Sequence, residues 1–183
     1  NREPIRQLWF GFAQAEYDLF HANSTSNDPT KDVQILERAL GSENMFKALA
    51  RVEHNGGSPG IDGVTVEQLR GYLREVWPSV RQSLLDGTYR PQPVRRVSIP
   101  KPTGGLRHLG VPTVLDRLIQ QALLQIIQPE WDPTFSESSF GFRPEHSAHQ
   151  AIAQAQQYIR QGLTWVVDID LEKFFDRVNH DRL

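Results

Sequence analysis

Pro91 and Pro93, two residues apart in "RPQPVRRVSIPK", forbid helix in the middle of a chain whose patterning is otherwise mostly helical. Past them Val97 and Ile99 alternate with Arg96 and Ser98, the period of a strand. "PTGG" then reads as a turn and "LRHLGVP" as a return strand, so this stretch is expected to fold as a hairpin. The flanks have a different rhythm. Met45, Ala48, Leu49 and Val52 make an i, i+3, i+4, i+7 stripe after a capping Ser42, and Asn55-Gly56 ends that helix. A shorter helix over Asp32–Leu40 precedes it. Thr65 with Gln68 reads as a capping box for a helix that buries Leu69, Tyr72, Leu73 and Val76, and Pro78 suits the first turn of another, which stops at Asp86-Gly87.

Beyond the hairpin, Thr113 caps a helix to about Gln128, with Leu115, Leu118, Ile119, Ala122, Leu123, Ile126 and Ile127 inside. A helix over about Ala148–Gln161 is expected to bury Ile152, Ala155 and Ile159 and to stop at Gly162. Trp165–Asp170 reads as a closing strand. The first 22 residues suit an amphipathic helix, and "ANSTSNDPTKD" suits a flexible linker. The fold class is α+β: several helices, one hairpin and one strand.

That last strand carries the first chemical signal. In "WVVDIDLEKFFDRVNHDRL", residues i and i+2 of a strand face the same side, so Asp168 and Asp170 point together. Two carboxylates at close range repel, and a divalent cation such as Mg²⁺ relieves the repulsion. The plainer alternative is that one caps the turn and the other is solvated.

A second signal is the run of charge between Gly87 and Leu115, which holds Arg90, Arg95, Arg96, Lys101 and Arg107 and not one Asp or Glu. Net charge over the chain is only −2, so a phosphate-binding face must come from such local clustering. Lys101 and Arg107 flank the turn and can converge on one anion, for example a triphosphate. A solvated edge strand protected by its charges is the competing reading. "GGSPGIDG" lacks the Gly-Lys-Ser/Thr ending of a Walker loop. It either sets backbone N–H groups against nucleic acid or merely connects helices. In "SFGFRP", Phe140, Phe142 and Arg143 suit stacking or phosphate contact, or they anchor the loop. The six histidines show no zinc-ligand spacing.

Composition narrows the class. A chain of 183 residues, 38% hydrophobic and 23% charged, matches a soluble globular protein, and no apolar run approaches the roughly 20 residues of a membrane span. The absence of cysteine excludes disulfides and fits a cytoplasmic location. "NREPIRQLWFGF" lacks a signal-peptide core and an initiator Met, and reads as an internal cut or a processed start.

The order of four blocks is more specific than any one of them. "NGGSPGIDGVT", "RPQPVRRVSIPKPTGGLRHLGVPTVLDRLIQQAL", "SFGFRPEHSAHQA" and "VVDIDLEKFFDRVNHDRL" together resemble the N-terminal half of a bacterial group II intron-encoded reverse transcriptase, or maturase, over about residues 35–183. The resemblance implies the fingers and the start of the palm of a right-hand polymerase. It divides the chain into an unassigned 1–31, a helical N-terminal extension over 32–87, fingers with the basic hairpin over 88–163, and the start of the palm from 164 to 183.

By the same resemblance Asp170 is the first catalytic palm aspartate and a Mg²⁺ ligand, since Phe175 and Asp176 complete its motif, and the Leu171 carbonyl lies beside it. Phe175 would be the steric gate that selects dNTPs, and Lys101 and Arg107 would grip the triphosphate. Arg90, Arg95, Arg96, Arg143 and Gly60 of the glycine loop would contact RNA. The implied partners are group II intron RNA, an RNA template with a DNA primer, and dNTPs, with no membrane. The second carboxylate motif is expected past Leu183, which would leave this stretch inactive alone. A non-catalytic RNA-binding maturase module, and a related retroelement or CRISPR-associated reverse transcriptase, are the alternatives.

Overall fold

The computed structural model describes residues 31–102, 104–171 and Arg177. The expected helix over the first 22 residues, nearly all of the linker after it, Phe175 and Asp176 lie outside the described residues. The chain divides into two units, Asn1–Pro133 and Thr134–Leu183.

In the first unit, helices α1 (Lys31–Ala39), α2 (Ser42–Asn55) and α3 (Leu69–Leu85) precede strands β1 (Arg95–Pro100) and β2 (Leu106–Val111), and helix α4 (Val114–Trp131) follows. The core is helical. Met45, Leu49 and Val52 of α2, Leu69, Leu73 and Trp77 of α3, and Val114, Leu118 and Ala122 of α4 close on one another. The 3.6-residue stripes read in the sequence supply these faces. Asn44 adds polar ties: its Nδ2 donates to the carbonyls of Ala39 and Ala122, and Gln125 Nε2 donates back to Asn44 Oδ1 at 2.7 Å. Arg70 of α3 clamps Glu53 of α2 in a two-pronged ion pair, with Nη2 to Oε2 at 2.6 Å.

Three local expectations are corrected. Gly41, not Ser42, is the N-cap of α2; its extended backbone presents the carbonyl that accepts the first helical bond, from Met45 N–H at 2.9 Å. The capping box at Thr65 is half formed. Gln68 Oε1 accepts the Thr65 N–H at 3.0 Å, while the Thr65 hydroxyl goes to Glu67 and holds that carboxyl below its ordinary range. Pro78 starts no new helix: α3 runs through it. A proline costs a helix interior about 3 kcal/mol through its lost N–H and its ring. The buried series Leu69, Leu73, Trp77 continues past Pro78 into half-buried Val80 and Leu84, so packing on both sides of the proline outweighs that cost.

The hairpin forms as expected. Arg95 pairs with Val111, Val97 with Leu109 and Ile99 with Arg107, and the turn is closed by Lys101 N–H to the Gly105 carbonyl. Thr113 caps α4, its hydroxyl accepting from Asp116 N–H at 3.0 Å.

A 3₁₀ turn at Asp132–Thr134 spans the boundary, and the second unit holds an irregular loop and helix α5 (Ala148–Arg160). Ser147 and Gln150 form a full capping box at its start. Two readings fail here. Ile152 and Ile159 are more than half exposed and Ala155 is exposed, because no described element of this unit packs on that face of α5. Trp165–Asp170 makes no strand: β1 and β2 form the sheet among the described residues, and a strand without a ladder partner has nothing to bond. Its apolar side chains stand in the open, with Trp165 at 97% and Ile169 at 81% exposure. No described helix is long and apolar enough to cross a membrane.

Candidate nucleic-acid interface

The hairpin register sorts the basic residues by face. Directly paired residues share a side, and so do residues i and i+2. Ile99 pairs with Arg107, and Lys101 is two residues past Ile99, so Lys101 and Arg107 lie on one face with Ile99 and Leu109 between and beside them. Arg95 lies further along that same face, its Nε buried, and Arg96 lies on the other. That second face carries the cross-strand pair Ser98 Oγ to His108 Nδ1 at 2.9 Å. Lys101 and Arg107 are both exposed, as are Arg90 and Arg96. The register thus gives a common face to the two cations that, from the sequence, flank the turn and can converge on one anion.

What mounts the hairpin was not visible in the sequence. Asp116, 3% exposed at the third position of α4, accepts from the Tyr89 hydroxyl at 2.7 Å, from the Thr113 hydroxyl at 2.6 Å and from Gln92 N–H at 3.3 Å. A buried carboxylate is tolerable when its lone pairs are taken and a helix N-terminus faces it. Here it ties the approach to β1 onto the helical core. Burial, and then Asp116 as hydrogen-bond partner and as nearby charge, push the Tyr89 phenol above its ordinary value of 10.

The folded state therefore holds the Tyr89 proton more tightly than the unfolded chain does. The stability this contributes is full below pH about 10 and lost as pH rises above it. Melting temperature followed from pH 8 upward should fall above pH about 10, and Tyr89→Phe should flatten that fall. An identical alkaline limb in both proteins would refute the linkage.

The glycine loop is also anchored by α4. Gly60 is buried, and a Cβ there would stand 2.6 Å from Thr113 Cα, so glycine at this position permits two backbones to touch. Its expected RNA contact therefore rests on the resemblance alone. Arg117 donates from Nη1 to the Gly56 carbonyl at 3.0 Å and from Nη2 to the Ser58 carbonyl at 3.1 Å.

In the second unit Arg143 is committed to its own loop. Its Nη1 donates to the carbonyls of Ser136 and Ser139 at 2.8 and 3.0 Å, and its guanidinium lies 5.6 Å from the Phe135 ring centroid. Phe140 contacts the His146 ring, while Phe142 is fully exposed in the left-handed region at φ 56°. Asp168, Asp170 and Leu171 lie on the open segment described above, and all three are exposed. Carboxylate oxygens are the right donors for Mg²⁺. The described residues nevertheless assemble no group of three acidic or imidazole donors, so they do not by themselves make a cation site.

Residues 99–183 match the family described as reverse transcriptase (RNA-dependent DNA polymerase). The chain is 37% identical over 166 residues to Protein YkfC of Escherichia coli, covering 87% of this chain and 44% of that protein. It is 33% identical over 159 residues to the group II intron-encoded protein LtrA of Lactococcus lactis, covering 86% of this chain and 26% of LtrA. Nuclear intron maturase 2 of Arabidopsis thaliana shares 36% over 61 residues, 33% of this chain and 8% of the maturase. These matches place the chain among the group II intron reverse transcriptases and maturases. It spans less than half the length of each of these relatives.

Proposed function

We propose that these residues are the fingers and the first part of the palm of an RNA-directed DNA polymerase that also holds group II intron RNA, acting in the cytoplasm. The observation that carries the reading is the acid-free hairpin, with Lys101 and Arg107 on one exposed face inside the segment that matches the reverse transcriptase family. In this reading that face takes the triphosphate of an incoming dNTP, where one cation on the ladder and one at the turn beside it meet a dense anionic group.

Arg90, Arg95 and Arg96 take phosphates of the template–primer or of the intron. Arg143, bonded to two carbonyls of its own loop, shapes the loop that this reading turns toward RNA. Asp170 supplies one carboxylate arm of a divalent-cation site, with the Leu171 carbonyl next to it; further acids must complete the site. Phe175 is the proposed gate against ribonucleotides. For the described residues taken alone, RNA binding is the activity best supported, because no complete cation site is assembled among them.

The test is the salt dependence of RNA binding. Affinity for a structured RNA, followed by fluorescence anisotropy, should fall steeply from 50 to 200 mM salt. Removing one phosphate contact should reduce the slope of log K against log salt by about 0.7–0.9. Arg95 and Arg96 lie on opposite faces, so Arg95→Ala with Arg96→Ala should remove one unit if one face is engaged and two if RNA wraps the hairpin. An unchanged slope would mean that the hairpin is only a solvated edge.

A further inference from the structure

Arg117 lies in the second of the four sequence blocks with no role read for it, yet its bonds are directed at the first. Its guanidinium fork takes the carbonyls of Gly56 and Ser58, while its Nε is buried with no hydrogen bond among the described residues. A Cβ on Gly57 would stand 2.7 Å from Nη1, and Gly57 has φ +102°, so loop and guanidinium are fitted to each other. A trans peptide points its N–H away from its carbonyl. With the Gly56 carbonyl turned in to Arg117, the Gly57 N–H points away from α4. Gly57 is exposed, and its N–H donates to no described group. Ser58 precedes Pro59, which has no N–H, so the second bond fixes the loop without spending a donor. A bare glycine N–H on an exposed loop is a donor that a phosphate can approach closely.

We propose that Arg117 is a positioning residue: by gripping the carbonyls of Gly56 and Ser58 it presents the Gly57 N–H, preformed, to an RNA phosphate. This rests on the RNA-binding reading above. The neighbouring Asp116 grips the approach to the hairpin, and Gly60 abuts Thr113, so one turn of α4 holds both RNA-facing pieces in a fixed relation. A guanidinium suits the task because its planar fork reaches two carbonyls at once, which an ammonium on a flexible stem does not reproduce.

The 183-residue chain, titrated with a labelled single-stranded RNA oligonucleotide, tests this. Arg117→Lys and Arg117→Gln should both weaken binding roughly tenfold, with the salt slope unchanged. Gly57→Ala should weaken it similarly, and combining it with Arg117→Gln should add little further loss, since both act on one contact. Rescue by Lys, with a flatter slope in the Gln variant, would make Arg117 a direct phosphate ligand and overturn the proposal. Unchanged affinity in both variants would overturn it while leaving the RNA reading intact. So would loss of the circular dichroism helix signal at assay temperature in Arg117→Lys, which would make the residue structural. Failure of the unsubstituted chain to bind at low salt would sink the RNA reading and this proposal together.

Discussion

Asp170→Ala in the complete protein is expected to abolish primer extension on an RNA template, lowering kcat by about a thousandfold or more. Asp168→Ala should leave measurable activity. The two acids are chemically alike and both exposed, so position must separate them. Only Asp170 has an aromatic residue five positions on and an acid six on, at Phe175 and Asp176. The same register makes Phe175→Ala admit ribonucleotides, because a ring excludes a 2′-hydroxyl by bulk. Single-nucleotide incorporation with dNTP and rNTP measures both effects. If Asp168→Ala kills synthesis and Asp170→Ala is tolerated, the motif begins one acid earlier and Phe174 becomes the nearer gate.

The second large effect concerns stability. Asp116→Ala should lower the unfolding free energy by about 3 kcal/mol, measured by urea denaturation. The substitution strands the Tyr89 hydroxyl, the Thr113 hydroxyl and the Gln92 N–H together, and leaves a small void beneath the hairpin. Unsatisfied buried donors cost about 1–3 kcal/mol each when nothing replaces the partner, and partial relaxation limits the sum. Asp116→Asn should cost less, since an amide oxygen still accepts while its NH₂ meets donors. Amide exchange should quicken in β1 and β2 more than in α2. A loss below about 1 kcal/mol would show that the hairpin is held mainly by its own ladder.

Much of the helical unit was legible because its signals are local. The stripe at Met45, Ala48, Leu49 and Val52, the Thr113 cap, and the glycine stops at Gly56 and Gly87 each depend on residues within a few positions. The hairpin was legible for the same reason. What escaped is what distance decides. Asp116 meets Tyr89 across 27 positions and Arg117 meets Gly56 across 61, and neither pairing leaves a periodic trace. Pro78 misled because its local rule was overridden by packing on both sides of it. Ile152 and Ile159 misled in the opposite sense: an apolar stripe reports that a face needs cover, not that cover lies within the same unit. For the candidate site, residue types were readable, and so was the sharing of a face by Lys101 and Arg107 once a hairpin was assumed. The amide and carboxylate supports beneath them were not.

The open segment from Trp165 to Leu171 has a consequence for how this chain behaves in concentrated solution. Seven residues dominated by Trp, Val, Ile and Leu, with no backbone hydrogen bond among the described residues, have the composition of segments that stack on copies of themselves into fibrils. In-register stacking would set each Asp168 and each Asp170 about 4.7–4.8 Å from its own counterpart. A column of like charges at that spacing opposes growth, as gatekeeper residues do beside other exposed apolar strands. The alternation that invites a catalytic reading thus also guards the segment against self-association. Neutralising both acids at once, by substitution or by acid, turns the same seven residues into an aggregation-prone strand.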